Sequence, residues 1–257
     1  MIKLKNVNFS YEGVSVLKNI NYEFEKGRIY SVIGPNGSGK TTLLKLLGNL
    51  RECESGEVTL NGKNYSEYSR KEFAKNVASL PQSRNTPSIR ARELVSHGRF
   101  PYLDISRKLS DEDKRIVDGA LISSGAEEYS KKNLTELSGG ERQKVYLAML
   151  YAQMTDYVLL DEPTTYLDVV SQFVVMNSLK KMKGEGKCVI AVLHDISLAM
   201  KYSDELIVIN HGRIAGSGNA DEILDSGILK EVFGIDGKCV EVDGEKEYIF
   251  RPVTNEY

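Results

Sequence analysis

The chain has 257 residues, of which 41% are hydrophobic and 27% charged, and its formal net charge is −2 at pH 7. This length is enough for one large α/β domain or two small ones around a sizeable core, and the composition is that of a soluble globular protein. The nearly balanced charge argues against a general nucleic-acid binder, which would usually carry a basic domain or stripe, so we expect no nucleic-acid partner.

The N-terminal sequence and the cysteines indicate the kind of cellular compartment in which the protein works. The sequence "MIKLKNVNFSYEG" has no apolar core of signal-peptide length, and no run approaches the ~18 apolar residues of a spanning helix. Cys53, Cys188 and Cys239 are odd in number, far apart and without metal-ligand spacing, which favours a reducing compartment. If the protein works at a membrane, we expect it to do so through a partner.

The N-terminal part predicts a hairpin, a buried strand and a helix. Residues Ile2 to Phe9 and Val16 to Phe24 alternate apolar and polar side chains around a turn at Glu12-Gly13, as a half-exposed antiparallel hairpin does. The segment "RIYSVIG" is typical of a buried strand. A helix is expected next, because leucines recur at helical spacing at Leu43, Leu46, Leu47 and Leu50.

The remaining chain alternates helix and strand signals. From about Arg84 to Ser124 it is polar and mostly helical, with a helix start at Ser110-Asp111-Glu112-Asp113, which indicates a helical subdomain at about 84–152. The runs "DYVLLDEP" and "KCVIAVLHD" are short enough to be central parallel strands. A hairpin near "LIVINHGRIAGSG" precedes a C-terminal extension, about 219–257, whose last strand pair turns at Asp243-Gly244.

The stretch "GPNGSGKTT" fits the phosphate-binding loop pattern and lies between a predicted strand and a predicted helix. Glycines let backbone N–H groups turn onto phosphate oxygens, and the helix N-terminus adds about half a positive charge. Lys40 adds a full charge, and Thr41 offers a hydroxyl to Mg²⁺. The expected nucleotide-binding residues are Gly34, Pro35, Asn36, Gly37, Ser38, Gly39, Lys40, Thr41 and Thr42.

Two adjacent carboxylates end the apolar strand "YVLLDEP", where an open parallel sheet exposes its ligand crevice. We expect Asp161 to hold Mg²⁺ and Glu162 to orient or deprotonate a water facing the γ-phosphate. Such a pair alone is more often a solvated strand end, but a phosphate loop upstream favours the functional interpretation. The phosphate loop alone does not distinguish a nucleotide kinase from a GTPase or a motor ATPase, so the rest of the chain must decide.

The segment "LTELSGGERQKVYLAML" is the most specific signal in the sequence. Ser138 and Glu141 form a capping box that opens a helix. The box does not explain Gly139 and Gly140, because each costs about 1 kcal/mol against alanine in a helix. Two glycines at a helix start make a second anion cradle, although the phosphate loop already serves one set of phosphates.

With this segment the chain resembles the ATP-binding-cassette (ABC) ATPases, in which "LSGGE" is a variant of the family signature. The resemblance covers nearly the whole chain and implies one ABC ATPase domain over residues 1–257. The implied fold class is α/β: a P-loop NTPase core with a mostly parallel sheet, an N-terminal antiparallel β subdomain and the inserted helical subdomain. The implied ligands are ATP and Mg²⁺.

The resemblance also implies a head-to-tail dimer with a second copy, in which the signature of one copy covers the γ-phosphate held by the other. Ser138, Gly139, Gly140 and Glu141 would then act in trans. Asp168 in "TTYLD" matches the family's loop aspartate at the dimer interface and would also act across it.

Three further residues match the family pattern. Tyr11 in "NFSYEG" is placed like the aromatic that lies against adenine, although an ordinary strand tyrosine is the alternative. Gln82 in "SLPQ" matches the glutamine that reaches Mg²⁺ and the attacking water, and His194 in "VLHD" matches the switch histidine that contacts the γ-phosphate. The implied catalytic residues are Lys40, Gln82, Glu162 and His194, and the implied metal ligands are Thr41, Gln82 and Asp161.

The stretches "ELVSHGRFPYL", "DEPTTYLD" and "AVLHDISLAMKYSDELIVINHGRI" resemble the ATPase subunits of importers for ferric siderophores, haem and cobalamin. This branch implies membrane permease partners bound through about residues 83–103, an external substrate-binding protein, and a peripheral location at the cytoplasmic face of the membrane. Glu141 departs from the glutamine common in that branch. Either residue suits a helix first turn.

Two alternatives remain open at this point. A P-loop small-molecule kinase would share the phosphate loop and the Mg²⁺ ligands, but it needs an acceptor site and has no use for the second glycine cradle. A soluble cassette ATPase, for example one in iron-sulfur assembly, would share the whole ATPase site. The short single cassette without a basic region argues against work on DNA or ribosomes.

Overall fold

The computed structural model describes residues 1–82, 86–104 and 108–253. The strands are β1 (Ile2–Tyr11), β2 (Val14–Phe24), β3 (Ile29–Ile33), β4 (Ser55–Leu60), β5 (Lys63–Asn64), β6 (Val77–Leu80), β7 (Tyr157–Asp161), β8 (Cys188–Val192), β9 (Glu205–Asn210), β10 (Arg213–Gly218), β11 (Ile235–Val242) and β12 (Glu245–Pro252). The α-helices are α1 (Lys40–Leu47), α2 (Arg70–Ala74), α3 (Ala91–Ser96), α4 (Asp111–Ser123), α5 (Gly139–Gln153), α6 (Val169–Gly184), α7 (Ile196–Tyr202), α8 (Ala220–Asp225) and α9 (Ile228–Phe233). Short 3₁₀ helices lie at Tyr65–Glu67, His97–Tyr102, Glu127–Tyr129 and Leu134–Glu136.

A mostly parallel sheet forms the centre of the described structure, in the strand order β10-β9-β3-β8-β7-β6. Its neighbours run parallel except β9 and β10. The strands β3, β7 and β8 are buried at every residue, as apolar strands covered on both faces are. Because these three strands are parallel, the segments that leave them lie at the same edge of the sheet.

The two faces of this sheet belong to two hydrophobic cores. Successive strand residues point to opposite faces, so Tyr157 and Leu159 enter one core while Val158 and Leu160 enter the other. The first core lies between the sheet, α1 and the antiparallel sheet β2-β1-β4-β5. The second core holds the buried residues of α3 to α9. The fold class expected from the sequence is thereby confirmed.

The N-terminal hairpin is longer and less regular than the alternation predicts. β1 and β2 pair antiparallel with several register shifts. Asn6 and Asn19 have φ angles of 51° and 53°, in the left-handed region that asparagine tolerates better than most residues. The turn at Glu12-Gly13 is where the sequence places it, with φ angles of 48° and 82°.

Helix α1 ends earlier than the leucine spacing predicts. The last helical residue is Leu47, Gly48 caps the helix, and Asn49 follows with a φ of 53°. Leu50 is therefore outside the helix and 57% exposed. A glycine followed by a left-handed asparagine is a common helix end, and it outweighs a fourth leucine at helical spacing.

The helices α3, α4 and α5 lie between β6 and β7 in the chain. Arg99, in the 3₁₀ segment that follows α3, forms a buried ion pair with Asp113 of α4, its Nε 2.8 Å from Asp113 Oδ1, and its Nη1 donates to the Ala152 carbonyl of α5 at 2.9 Å. Gly98 lies so close to α5 that a Cβ there would be 2.5 Å from the Met149 carbonyl oxygen. The 3₁₀ segment at 97–102 is thus fixed to α5. Arg84, where the sequence predicts the helical subdomain to begin, lies outside the described residues.

The C-terminal segment packs on the core through a hairpin of β11 and β12. The turn at Asp243-Gly244 is as the sequence predicts, with φ angles of 52° and 81°. Lys201 of α7 contacts the carboxylates of Glu245 and Glu247, which lie two residues apart on one face of β12. Within residues 1–82, 86–104 and 108–253, no helix has the length and apolarity to cross a membrane.

Candidate active site

The phosphate loop, Gly34–Thr41, connects β3 to α1 at the carboxyl edge of the central sheet. Gly39 occupies the N-cap with a φ of 111°, and Gly37 has a φ of 76°; both angles favour glycine. A Cβ on Gly34 would lie 2.2 Å from the Ile209 carbonyl oxygen, so a larger residue cannot fit between the loop and β9. The loop glycines therefore allow both the turn and the close packing.

Lys40 is the first residue of α1 and is only 6% exposed. Its Nζ donates to the carbonyl oxygens of Gly34 and Pro35 at 2.8 and 2.9 Å, so the ammonium lies inside the loop. Burial lowers the pKa of Lys40, and the carboxylates of Glu162 and Asp161 oppose this shift. A buried ammonium beside a helix N-terminus is an electropositive site for an anion.

Ser38 gives an independent indication that the loop binds a polar ligand. Its residue is 5% exposed, and its hydroxyl oxygen is buried without a hydrogen-bond partner in the described structure. An unpaired buried hydroxyl costs free energy unless a ligand satisfies it. The backbone amides, Lys40 and Ser38 together fit a polyphosphate. Of the other expected loop residues, Asn36 is exposed and Thr42 is buried.

Asp161 ends β7 next to the phosphate loop. The Thr41 hydroxyl donates to Asp161 Oδ1 at 3.2 Å, so two of the three expected metal ligands are in contact. Burial raises the pKa of Asp161, opposed mainly by the hydrogen bond from Thr41. A carboxylate and a hydroxyl that meet beside an anion site are the oxygen ligands that Mg²⁺ prefers, and a cation there would reduce the cost of burying Asp161.

Glu162 is the centre of a contact network at the same edge. Its carboxylate accepts from Gln82 Nε2 and from Thr165 Oγ1, the latter at 3.2 Å, and it contacts His194 Nε2. The Glu162 side chain is 9% exposed. Gln82 follows β6 and His194 follows β8, so three parallel strands bring these side chains together. The expected catalytic residues Gln82, Glu162 and His194 are thus adjacent in space.

The backbone of Glu162 is unusual. Its φ is 51°, a left-handed conformation that non-glycine residues rarely adopt and that is often found at functional sites. Its N–H donates to the Val192 carbonyl at 3.1 Å, which ties the residue to β8. This conformation turns Glu162 away from the direction of Asp161, so the two neighbouring carboxylates face different partners.

The signature segment, Ser138–Glu141, opens α5. Ser138 Oγ accepts from the Glu141 N–H at 3.3 Å and the Ser138 N–H donates to Glu141 Oε2 at 2.7 Å, the capping box that the sequence predicts. Hydrogen bonding of the Glu141 carboxylate to the backbone and side chain of Ser138 lowers the pKa of Glu141. In the described structure no hydrogen bond joins the segment to the phosphate loop of the same chain, and Ser138 and Gly139 are exposed.

Asp168 lies beside the signature segment. It caps α6, accepting from the Ser171 N–H and hydroxyl at 2.9 and 2.7 Å, and hydrogen bonds from Ser171 lower its pKa. A Cβ on Gly140 would lie 2.4 Å from Ser171 Oγ. Ser171 therefore connects the aspartate to the glycine pair, a role that the sequence analysis missed because it depends on the packing of α6 against α5.

Tyr11 lies at the end of β1, 37% exposed, with its ring edge-to-face on Phe9 at 4.8 Å between centroids. Its hairpin partner β2 approaches the phosphate loop, because a Cβ on Gly39 would lie 2.8 Å from Leu17 Cδ2. The expected contact of Tyr11 with adenine stays a prediction.

Thr165 was also missed by the sequence analysis. Its hydroxyl reaches Glu162 from three residues along the chain, a spacing that a turn after a strand can close. The doubled threonine in "DEPTT" was the available signal, since threonine hydroxyls often bond to neighbouring groups in turns.

Comparison with known proteins gives the family. A family model described as "ABC transporter" matches residues 17–165. The iron(3+)-hydroxamate import ATP-binding protein FhuC of Bacillus subtilis (strain 168) is 39% identical over 241 residues, which is 93% of this chain and 90% of that protein. The petrobactin import ATP-binding protein FpuC of Bacillus anthracis is 39% identical over 254 residues, 98% of this chain and 93% of that protein.

A solved structure agrees with these relatives. A dimeric ATP-binding cassette in a post-hydrolysis state, bound to ADP and Pi, superposes with a TM-score of 0.75 at 29% identity, covering 86% of this chain and 99% of that one. The family match spans the phosphate loop, Gln82, the signature segment and Glu162. This chain therefore belongs to the ABC transporter family, as one of its ATP-binding, ATP-hydrolysing cassettes.

Proposed function

We propose that this chain is the nucleotide-binding subunit of an ABC importer and powers the uptake of an iron siderophore, or of a haem or cobalamin-type substrate, through membrane permease partners. The observation that carries the proposal is the network around Glu162 beside the phosphate loop. The names of the two relatives, which refer to iron(3+)-hydroxamate and petrobactin import, support the siderophore option.

Hydrolysis at this site is a transfer of the γ-phosphoryl group to water. The water oxygen bonds to the γ-phosphorus, the bond from that phosphorus to the bridging oxygen of ADP breaks, and the proton of the water goes to Glu162. Lys40 and the loop amides offset the charge on the phosphate oxygens. The contact of His194 Nε2 with Glu162 supports a role in orienting the carboxylate, and the proposed second role of His194 is to contact the γ-phosphate.

The oxygen atoms of Thr41, Asp161 and Gln82 would hold Mg²⁺. Gln82 gives its amide nitrogen to Glu162, which leaves its amide oxygen for a cation, and Thr41 and Asp161 already meet at 3.2 Å. When bound, Mg²⁺ neutralises charge on the β- and γ-phosphates. The burial of Asp161 fits this role, because burial and, to a lesser extent, the Glu162 carboxylate raise its pKa, and a cation would favour the charged form.

A second copy of the chain would complete the site. Ser138 and Gly139 of the signature segment are exposed, and the segment has no hydrogen bond to its own phosphate loop within the described residues. Its glycines open a helix N-terminus suited to an anion. A head-to-tail dimer places Ser138, Gly139, Gly140, Glu141 and Asp168 of one copy at the nucleotide of the other. ATP then favours the closed dimer because it contacts both copies only in that state.

The permease contact is proposed at about residues 83–103. Residues 83–85 lie outside the described structure. In the described part of this range Phe100 is 56% exposed, while Arg99 is buried against α5, so a force on this surface would reach the helix that begins with the signature segment. The proposed location is the cytoplasmic face of the membrane, with an external substrate-binding protein as an indirect partner.

The substitution Glu162→Gln tests the ATPase mechanism and the pairing together. It keeps the shape of the side chain but removes the base, so we expect ATP hydrolysis to fall at least 100-fold while ATP binding is kept. The variant should then elute as a dimer with MgATP and as a monomer without it. An undiminished rate would show that another group activates the water, and the absence of a mass increase would contradict the dimer.

The transport role has its own test. We expect the chain to be recovered from membranes with an integral partner, and its ATPase rate in that complex to rise with one class among ferric siderophores, haem and cobalamin. Recovery only in the soluble fraction, with an iron-sulfur or other soluble partner, would favour a soluble cassette ATPase instead.

A further inference from the structure

We propose that Thr165 is a positioning residue for ATP hydrolysis, which occupies one oxygen of Glu162 so that the other oxygen alone receives the proton of the attacking water. The proposal rests on the proposed role of Glu162. Nothing in the sequence patterns assigned a role to Thr165, and the inference comes from the directions in which the Glu162 carboxylate is bonded.

The two oxygens of Glu162 have different partners. Oε2 accepts from the Thr165 hydroxyl at 3.2 Å and also from Gln82 Nε2. Oε1 contacts only His194 Nε2 among the described residues. Since an ionised carboxylate carries about four lone-pair positions, two on each oxygen, Oε2 is fully used and Oε1 has one position free.

This difference between the two oxygens decides which oxygen of Glu162 accepts the proton of the water. A water that approaches Glu162 finds an acceptor position only on Oε1, the oxygen next to His194. Two acceptor positions would allow two orientations of the water, and only one can align with the γ-phosphorus. Orientation of this kind is a large part of catalysis, because misplacing a reacting group by about 1 Å costs about 100-fold in rate.

Thr165 is held firmly enough to do this. Its N–H donates to the Glu162 carbonyl at 3.3 Å, so the backbone of residues 162–165 forms a closed turn, and its side chain is half-buried. The neighbouring Thr164 is buried, with its carbonyl accepting from Gln172 of α6. The turn therefore fixes the hydroxyl of Thr165 relative to the left-handed Glu162.

The test is the kinetic comparison of Thr165→Val and Thr165→Ser in the full chain with MgATP. Valine keeps the shape and removes the hydroxyl, so we expect kcat to fall roughly tenfold, the loss of one hydrogen bond to a charged group, with the KM for ATP unchanged. Serine restores the hydroxyl and should keep kcat within about twofold of wild type. A structure of the valine variant should show the Glu162 carboxylate rotated.

Thr59→Val is the matched control, because Thr59 is a half-buried threonine of β4 in the other sheet. A Thr165→Val enzyme with the same kcat as the Thr59→Val enzyme would overturn the inference, as would a serine variant no better than the valine variant. If valine prevents folding, the pair Thr165→Ala and Thr165→Ser decides in the same way.

The outcome separates this inference from the proposed function. Full hydrolysis by Glu162→Gln would remove the proposed role of Glu162 itself. If Glu162→Gln is inactive while Thr165→Val hydrolyses ATP at the control rate, only the role of Thr165 is wrong.

Discussion

At the scale of one residue, Lys40 carries a charge that suits ligand binding but lowers the stability of the fold without ligand. Its ammonium is buried, and burial lowers its pKa, so the charge is kept inside the protein at a cost in folding free energy. The folded-state pKa is below the unfolded one, so this cost is full below the folded pKa, decreases as the pH rises above it, and disappears only above the unfolded pKa. A phosphate bound beside Lys40, as proposed, would offset this cost.

We therefore expect Lys40→Met to unfold, without nucleotide, at a temperature no lower than wild type. With ATP at about 100 times its Kd, wild type should gain ~5–10 °C, and Lys40→Met should gain nothing. Lys45→Met is the control, because Lys45 is exposed on the same helix and should keep the gain. Differential scanning fluorimetry measures both, and a Lys40→Met enzyme still stabilised by ATP would contradict the assignment.

Gly139 and Gly140 differ in what surrounds them. A Cβ on Gly139 would make an ordinary contact at 3.7 Å to Leu167, whereas one on Gly140 would lie 2.4 Å from Ser171 Oγ and displace the hydroxyl that donates to Asp168. Alanine is favoured over glycine in a helix by up to about 1 kcal/mol. We expect Gly139→Ala to be at least as stable as wild type and Gly140→Ala to be less stable than Gly139→Ala by about 1 kcal/mol.

Urea unfolding of the two glycine variants measures this difference. The two changes are chemically identical and adjacent, so each is the control for the other. A Gly140→Ala variant as stable as Gly139→Ala would mean that Ser171 moves away from Asp168 without loss.

At the scale of helices, the pair of Arg99 and Asp113 fixes the 97–102 segment to α4 and α5. Both side chains are largely buried, 6% and 12% exposed. Arg99→Met would leave Asp113 buried with Ser110 as its remaining partner. We expect a loss of about 3 kcal/mol in the free energy of unfolding, against at most about 0.5 kcal/mol for Arg115→Met, which breaks a pair that is 79% and 69% exposed.

The contribution of the Arg99–Asp113 pair to the stability of the fold should depend on pH. Hydrogen bonds from Ser110, and then from Arg99, hold the pKa of Asp113 below its usual value against the effect of burial. The stabilisation is therefore complete above the unfolded pKa of about 3.9 and is lost as the pH falls through the folded value. Urea unfolding from pH 7 downward measures the difference in free energy of unfolding between wild type and Arg99→Met. We expect this difference to become smaller only below about pH 4. A gap independent of pH would show that Arg99 acts by packing alone.

At the scale of the whole molecule, a symmetric head-to-tail dimer has two composite sites. Lys40→Ala removes the phosphate loop charge, and Gly139→Asp places an acid at a helix N-terminus, which favours the helix but repels phosphate. Each variant alone should be inactive. Mixed one to one, half of the dimers combine the two variants and hold one intact site, so up to about a quarter of wild-type activity should return. No recovery on mixing would contradict a site shared between two copies.

The sequence was most informative where function resides in consecutive residues. The phosphate loop, the acid pair at the end of β7 and the capping box at Ser138 are each a short segment of consecutive residues. The two-residue turns at Glu12-Gly13 and Asp243-Gly244 are in the same class, because a turn is decided by its own residues. The fold class and the family were predicted correctly from these local patterns.

Local sequence patterns gave the wrong structure where a contact between distant residues, or a residue that ends a helix, determines the backbone. Leu50 matched the helical spacing but follows a glycine and a left-handed asparagine that end α1. The bulges at Asn6 and Asn19 depend on cross-strand bonds, such as the Asn6 N–H donating to Asn21 Oδ1 at 2.8 Å. Neither arrangement follows from the alternation of apolar residues.

By itself the sequence determined that the protein binds a polyphosphate next to a carboxylate pair and presents a second glycine cradle, because those features depend on neighbouring residues in the chain. Only the tertiary structure decided that Gln82, Glu162, Thr165 and His194 meet. The physical reason is the strand order: β6, β7 and β8 are adjacent in the sheet but separated in sequence, and parallel pairing brings their carboxyl ends to one edge. The spacing of these residues along the chain does not indicate the order of the strands in the sheet.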